Sequence, residues 1–374
     1  MRLRHADGST VHLSYCTNVH AAEDLPGIHA QLSGVAARVR RLLGVERLGL
    51  GLWLSQHAAA DLTARPEELA ALRARLTALG LEVVTLNGFP YRGFHDEIVK
   101  YRVYTPDWAD AERLRYTLGL AGILASLLPD DVTEGTISTL PLAWRTGWTR
   151  EKAAAVMANL DAVAAGLRAL AGRTGKVIRL GFEPEPGCIV EVTPQASALL
   201  SDVDHDHLGL CLDACHMAVG FEDPDAGART GLPIVKLQAS CALVAPPGAQ
   251  RALAAFDEAR FLHQTRSATG YADDLGEALA GGLPADESWR VHFHVPLHDA
   301  PPPPLTTSAP YLRDLLKALL GRERPLTRHV EVETYTWNVL PGAPADIAHG
   351  IAAELHWMRA QLAALGLKET RWHR

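Results

Sequence analysis

The chain has 374 residues, of which 48% are hydrophobic and 21% are charged, a composition typical of a globular protein with a large buried core. Its formal net charge of −7 argues against the broad basic surface that nucleic-acid binding requires. Residues 1–10 are polar, and the longest apolar run, at 118–128, is too short to span a bilayer, so we expect a soluble, cytoplasmic protein without stable membrane insertion.

Short β-rich segments alternate with Ala- and Leu-rich segments along the whole chain, and this pattern indicates βαβ units around a parallel sheet. Between the strands, Pro66 followed by two glutamates predicts the start of a helix that Gly80 ends, and Thr193 with Pro194 predicts another helix start. Nine segments are predicted as strands: 12–17, 48–55, 81–87, 136–141, 177–183, 208–213, 234–240, 290–296 and 329–334.

Large apolar residues alternate with small or polar residues in nearly every predicted strand. In the sixth strand, leucines share one face, whereas Gly209, Cys211 and Asp213 share the other. Helices must cover the apolar faces, so the polar faces point into a common interior, as they do in a barrel. We therefore predict one (β/α)8 TIM-barrel domain over residues 1–374. Because a barrel needs only eight strands, we expect an inserted region at about 241–325, between the seventh strand and the last, over the C-terminal face.

Acidic and imidazole side chains stand at the C-terminal ends of the later strands, where barrel enzymes place their catalytic groups. Several carboxylates in one cavity would repel each other unless a cation lay among them. The alternative is that each acid lies in a surface loop beside its own arginine. The predicted ligands of a divalent metal ion (Mn2+, Zn2+, Co2+ or Mg2+) are Glu183, Asp213, His294 and Glu333.

The cysteines and several other polar residues are weaker candidates. Five cysteines without paired spacing favour reduced thiols, and Cys211 and Cys215 are better explained as small buried side chains than as zinc ligands. Lys236 would hold an enolate or a phosphate, or else form an ion pair with Glu331. The candidates for substrate binding are His20, Asn87, His95, Lys236, Gln238 and Trp337, and those for catalysis are Glu183, Glu185, His216 and Glu333. A histidine in a loop is more often simply solvated, which is the alternative for His20 and His95, and Glu185 is either a general base or an alternative ligand.

The segment D-A-C-H-M at 213–217 resembles the D-x-x-H strand end of the xylose-isomerase-like superfamily, which includes ketohexose epimerases and endonuclease-IV-type enzymes. The resemblance implies that Asp213 is a metal ligand and that His216 contacts substrate or a second metal. It also matches the other three predicted ligands. The chain departs from the epimerase pattern at Gln238, where a ligand histidine is expected, while His294 lies much later in the sequence. Either the strand at 290–296 folds back over the site, or Gln238 belongs to an inserted unit.

Five longer motifs resemble the EboE family, whose members are xylose-isomerase-like proteins of a gene cluster associated with metabolite traffic and with isoprenoid-type or pigment precursors. The resemblance implies other Ebo-cluster proteins as partners, and it leaves a homo-oligomer open. The motifs are N-G-F-P-Y-R-G-F-H at 87–95, Y-T-P-D-W at 104–108, E-P-E-P-G-C at 183–188, K-L-Q-A-S at 236–240 and V-E-T-Y-T-W-N-V-L-P at 332–341.

The leading functional hypothesis is a metal-dependent isomerase or epimerase of a small polyhydroxylated or carbonyl metabolite. Glu183 or Glu333 would remove a proton next to the carbonyl, the metal would stabilise the enediolate, and His216 would orient the substrate. One alternative is a barrel that binds a metabolite and passes it on without turnover. Another is a metal-dependent phosphoester hydrolase of the endonuclease-IV type, which the acidic net charge disfavours for DNA.

Overall fold

The computed structural model describes residues 1–342 and 346–370. The strands are β1 Arg2–Arg4, β2 Thr10–Cys16, β3 Leu48–Trp53, β4 Leu81–Asn87, β5 Glu134–Thr139, β6 Val177–Phe182, β7 Leu208–Asp213, β8 Ile234–Ala239, β9 Leu243–Ala245, β10 Thr265–Arg266, β11 Tyr271–Ala272, β12 Trp289–Val291, β13 Thr306–Thr307, β14 His329–Val332 and β15 Lys368–Glu369.

The α-helices are α1 Leu25–Gln31, α2 Ala37–Leu43, α3 Gln56–Ala64, α4 Pro66–Ala78, α5 Ala111–Leu127, α6 Arg150–Thr174, α7 Thr193–Leu199, α8 Ala214–Val219, α9 Leu275–Glu277, α10 Ala309–Leu320 and α11 Ile347–Ala364. Short 3-10 helices cover Thr17–Val19, Lys100–Tyr104, Gly227–Arg229, Gln250–Phe256 and Tyr335–Asn338, and π-helical turns cover Leu32–Ala36 and Ala278–Gly282.

Eight parallel strands close into a barrel. Strands β2 to β8 pair in chain order, β14 pairs with β8, and β14 also pairs with β2, which completes the ring. The predicted (β/α)8 barrel is therefore confirmed, and the eight strand predictions agree with the structure within two residues at each end. Two short strands, β1 and β15, extend the sheet beside β2 in antiparallel pairing.

The ninth predicted strand, at 290–296, does not belong to the barrel. Only its first part forms a strand, β12, which lies in a separate five-stranded antiparallel sheet with β9, β10, β11 and β13. This sheet lies in the sequence between β8 and β14, as the predicted insertion does. Residues 292–296 leave the sheet without strand pairing, and their side chains, including His292 and His294, are buried.

Helix punctuation follows the sequence signals. Helix α4 has Pro66 in its first turn, and the chain leaves it at Gly80, whose φ of 66° is readily adopted by glycine. Among the described helices, α6 is long and apolar enough to cross a membrane by length and composition alone. Its buried residues include Val156, Val163 and Leu167, which belong to the main hydrophobic core, so α6 packs as an outer helix of the barrel.

The barrel interior is polar beneath its C-terminal end. The Lys236 ammonium donates to Glu331 Oε1 at 2.8 Å and to Ser138 Oγ at 3.3 Å, and both charged side chains are fully buried. Thr136 donates to the hydroxyl of Thr85 at 2.9 Å. This hydrogen-bonded layer supports the strand ends above it.

Candidate metal centre

A cavity opens at the C-terminal end of the barrel and holds about 520 Å3 of empty space, counting the part that opens to solvent. Acids, imidazoles and amides form its floor, and side chains of the loop after β4 and of the insertion form an upper wall. Its position, at the C-terminal ends of the strands, is the one that active sites occupy in barrel enzymes.

Three carboxylates converge at the floor. Glu183 follows β6, Asp213 ends β7 and Glu333 follows β14, and they are 2%, 0% and 4% exposed. One oxygen of each lies within 4.8 Å of the others. Burial, and then repulsion from the other two acids, raises the pKa of Glu183 well above its usual value. Burial, and then repulsion from Asp213, raises the pKa of Glu333 to about 8. A cation among these acids would relieve that repulsion.

His294 and Asp213 present unpaired atoms to each other. His294 Nδ1 lies 2.8 Å from the carbonyl of Glu333, which can only accept, so Nδ1 carries the proton and Nε2 keeps its lone pair. Nε2 lies 4.0 Å from Asp213 Oδ2, and both atoms are buried without a hydrogen-bond partner. Burial lowers the pKa of His294 to about 4, so the ring is neutral near pH 7. Two buried acceptors that face each other fit a metal ion between them.

The turn after β7 fixes the orientation of Asp213. Its Oδ1 accepts from the His216 amide at 2.9 Å and from Ser240 Oγ at 2.8 Å, so Asp213 caps helix α8. This arrangement leaves Oδ2 directed at His294. The D-x-x-H spacing therefore has a local structural reason as well as a chemical one.

Three amide side chains hold the glutamates. Gln238 donates to both oxygens of Glu183 at 3.1 Å and to Glu333 Oε2 at 2.7 Å, while its own carbonyl oxygen has no partner. Asn18 and Asn87 each donate to Glu333 Oε1 at 2.8 Å. Gln238 thus contacts the acid cluster from the position at which the epimerase pattern has a ligand histidine.

A second polar group adjoins the first. His216 Nδ1 lies 3.0 Å from the carbonyl of Pro184, and His216 Nε2 lies 3.0 Å from His292 Nε2. Glu185 accepts from the Tyr104 hydroxyl at 2.6 Å, and burial raises the pKa of Glu185 to about 7. Three further groups in the described chain also have ligand atoms close enough to hold a metal ion: Glu185–His216–His292, Asp213–His216–His294 and Cys215–His292–His294.

The structure brings together some of the predicted site residues and separates others. Within the cavity or against its acid cluster lie Glu183, Glu185, Asn87, Asp213, His216, Gln238, His294 and Glu333. Five of the six predicted substrate-binding residues do not line the cavity; Gln238 contacts the acid cluster from outside the lining, and the other four lie elsewhere. His20 lies 3.2 Å from the Tyr15 hydroxyl, His95 contacts the carbonyl of Asn18 at 2.7 Å, Trp337 donates to Glu354 at 3.0 Å and Lys236 pairs with Glu331.

Sequence reasoning missed several residues of the cavity, including Asn18, Tyr104, His292 and Tyr335. His292 shares the inward alternation of His294, and Tyr104 lies in a motif already singled out, so both carried a signal. Gln264 donates to the Tyr104 hydroxyl at 2.8 Å and lies 2.7 Å from His292 Nδ1. Nothing in the sequence indicated that Gln264 lies at the site, because its position depends on how the insertion folds.

Comparisons with known proteins agree with this architecture. The family model described as "Xylose isomerase-like TIM barrel" matches residues 39–278. No protein of curated function matches the chain in sequence. An L-ribulose 3-epimerase is similar in structure, with a TM-score of 0.53 and 13% identity over 95% of this chain and 96% of its own.

Two further solved structures show the same likeness. A D-psicose 3-epimerase from Clostridium cellulolyticum H10, solved with D-tagatose, has a TM-score of 0.52 and 12% identity over 94% of this chain and 99% of its own. A D-tagatose 3-epimerase-like protein has a TM-score of 0.51 and 11% identity over 95% of this chain and 98% of its own. At these identities the likeness establishes the fold.

Proposed function

This chain belongs to the xylose isomerase-like TIM-barrel family, and on that premise we propose that it is a metal-dependent isomerase or epimerase of a small polyhydroxylated or carbonyl metabolite. The main support is the pair of unpaired, buried atoms Asp213 Oδ2 and His294 Nε2, which face each other beside two buried glutamates. Such a cluster is costly to bury unless a cation compensates it.

The proposed ligands are Glu183, Asp213, His294 and Glu333, with Mn2+, Zn2+, Co2+ or Mg2+ as the ion. Bound there, the ion would polarise substrate oxygens and stabilise the negative charge that develops when a proton leaves the carbon next to a carbonyl. His294 suits this role because its protonated Nδ1 is held by the Glu333 carbonyl, which leaves Nε2 as the coordinating atom.

Proton transfer is proposed for one of three carboxylates in the cavity, Glu183, Glu185 or Glu333. Glu185 Oε2 has no hydrogen-bond partner, and its Oε1 is held by Tyr104. Its pKa of about 7 is close to the value that a general base needs at neutral pH. His216 is fixed by the carbonyl of Pro184 and would orient the substrate next to this group.

The experiment is solvent exchange in D2O. Protein loaded with each of the four ions is incubated with ketohexoses and simple α-hydroxyketones, and proton NMR follows loss of the hydrogen next to the carbonyl. We expect exchange that chelation abolishes and that Glu183→Gln lowers by a factor of about 100 or more. The control variant Glu134→Gln should catalyse the exchange at the wild-type rate, because Glu134 lies at the opposite end of the barrel, where it pairs with Arg328.

Ligand binding without any exchange would contradict the enzyme proposal and favour a barrel that binds and passes on a metabolite. Metal-dependent cleavage of a phosphodiester would instead favour the hydrolase alternative. The EboE assignment, the partners from the same gene cluster and the cytoplasmic location stay predictions from the sequence.

A further inference from the structure

The upper wall of the cavity is apolar, in contrast to its floor. Two segments build it, the loop after β4 and the insertion. The apolar side chains of this wall are Phe89, Pro90, Phe94, Val99, Val103, Phe261 and Leu262. The rings of Phe94 and Phe261 lie 5.2 Å apart, and each also contacts the ring of Tyr335, at 5.6 and 4.9 Å. A ligand that fills the cavity must touch this wall.

The polar groups on the wall are already engaged by the protein. The Lys100 ammonium pairs with Asp274 and donates to the carbonyl of Glu258 at 3.4 Å. The Tyr104 hydroxyl donates to Glu185 and accepts from Gln264 at 2.8 Å. Beyond these contacts the Lys100 ammonium keeps one N–H and the Tyr104 hydroxyl keeps one lone pair, so these two side chains offer a substrate at most two further hydrogen bonds.

The unsatisfied polar atoms lie on the floor instead. Among the cavity-lining residues that the structure describes, the buried side-chain nitrogen and oxygen atoms without a partner are Asn18 Oδ1, Glu185 Oε2 and His294 Nε2. The ligand therefore meets polar partners at one end and apolar surface at the other.

Hydrogen bonds between the two segments hold the wall in place. The amides of Val99 and Lys100 donate to the carbonyl of Arg260 at 2.8 and 2.9 Å, which ties the loop after β4 to the insertion. Because these hydrogen bonds join the two segments, the apolar side chains of the wall are held in position in the cavity.

A sugar would bury several hydroxyls against this wall, and a buried hydroxyl without a partner weakens binding by about tenfold or more. Aromatic faces can stack on the carbon atoms of a sugar, but its hydroxyls still need partners. We propose that the substrate is an α-hydroxyketone whose two oxygens face the floor and whose remaining body is an aryl or branched alkyl group against the wall. This inference rests on the proposed function, because it assumes that the metal holds the two oxygens.

The test uses three hydroxamates, which present the same pair of oxygens with different bodies, and the full-length protein loaded with Mn2+. Calorimetry measures the dissociation constants of acetohydroxamate, phenylacetohydroxamate and L-threonohydroxamate. We expect phenylacetohydroxamate to bind about tenfold more tightly than acetohydroxamate, because its phenyl ring is transferred from water to the apolar surface of the wall. The polyhydroxylated L-threonohydroxamate should bind no more tightly than acetohydroxamate.

Two valine variants locate the effect. Val103→Thr adds a hydroxyl to the wall at constant size, and it should lower the ratio of phenylacetohydroxamate to acetohydroxamate affinity about fivefold. Val35→Thr is the matched control, since Val35 is also half-buried but lies away from the cavity, and it should leave the ratio unchanged. If L-threonohydroxamate binds as tightly as phenylacetohydroxamate, the substrate class is wrong and the metal site stands. If none of the three binds the Mn2+-loaded protein, the inference and the proposed function are both wrong.

Discussion

At the scale of single residues, the cavity depends on buried charges that are held by specific partners. The carbonyl of Glu333 fixes the tautomer of His294, and the amide of Gln238 spans two glutamates. Beneath them, Lys236 and Glu331 are buried as a pair. A charged group is costly to bury without its partner. Removing one member of a buried pair should therefore lower the free energy of unfolding more than removing both members does.

The Lys236–Glu331 pair allows that expectation to be measured. Lys236→Met leaves the carboxylate of Glu331 buried without a cation, and we expect the free energy of unfolding to fall by about 3–5 kcal/mol in urea denaturation. The double variant Lys236→Met/Glu331→Leu should recover most of the loss. The exposed Lys317→Met on α10 should stay within about 0.5 kcal/mol of the wild type. Equal stability of the wild type and Lys236→Met would show that the pair is not buried as described.

At the scale of elements, alternation in the sequence predicted the barrel strands well, and β4 and β7 have their predicted bounds. The same pattern wrongly predicted a full strand at 290–296. Alternation of residue types predicts a strand, but a strand also needs a neighbouring strand to form a continuous ladder of backbone hydrogen bonds, and here the polar and apolar side chains are buried alike. Residues 292–296 make only single backbone hydrogen bonds, such as those from the His292 amide to the carbonyl of Gln264 and from the Val295 amide to the carbonyl of Cys241, and these do not form a strand ladder.

Strand β3 shows what the sequence could not provide. Gly51 alternates with leucines in β3, which is typical of an inward position, but the side chain that occupies the space beside it comes from the last barrel strand. A Cβ at Gly51 would lie 1.1 Å from Glu331 Oε2. The register between β3 and β4 also shifts between Leu50 and Gly51. Such a contact between distant segments follows only from the closed fold.

Replacement of this glycine is therefore expected to disturb the interior. Gly51→Ala should push Glu331 away from Lys236 and lower the free energy of unfolding by about 3 kcal/mol or more. Gly122→Ala, in the middle of α5 with no atom within 4 Å of the added Cβ, should be neutral or stabilising by about 0.5–1 kcal/mol. Thermal or urea unfolding of both variants measures the difference, and a Gly51→Ala protein as stable as Gly122→Ala would refute it.

At the scale of the whole molecule, the barrel closes where β14 meets β2, and His329 lies opposite His12 in that pairing. Their rings stack with centroids 5.4 Å apart. Burial, and then the positive charges nearby, lowers the pKa of His12 to about 3. Burial, and then His12, lowers the pKa of His329 well below its usual value. The closure of the barrel thus contains two neutral histidines that resist protonation.

This pair should make the protein sensitive to acid. The unfolded chain binds protons at these histidines below about pH 6.5, whereas the folded chain does not, so stability is full above that pH and falls as the pH drops. For His12 alone the loss between pH 6.5 and pH 4 is roughly 3 kcal/mol. His12→Phe should flatten the pH dependence of the free energy of unfolding over this range.

His57→Gln is the control, because the side chain of His57 is 73% exposed. This variant should show the same pH dependence of the free energy of unfolding as the wild type. Urea unfolding at several values between pH 4 and pH 7.5 measures both variants. If His12→Phe follows the same pH profile as the wild type, the buried pair is not a source of acid sensitivity.

The central claim is the metal site, and the metal content of the purified protein tests it most directly. After preparation without chelators, elemental analysis by mass spectrometry should find a stoichiometric divalent ion in the wild type. Asp213→Ala and Glu333→Ala should lose it, and Glu134→Ala, at the far end of the barrel, should retain it. A wild type without stoichiometric metal, or unchanged metal content in Asp213→Ala and Glu333→Ala, would contradict the account.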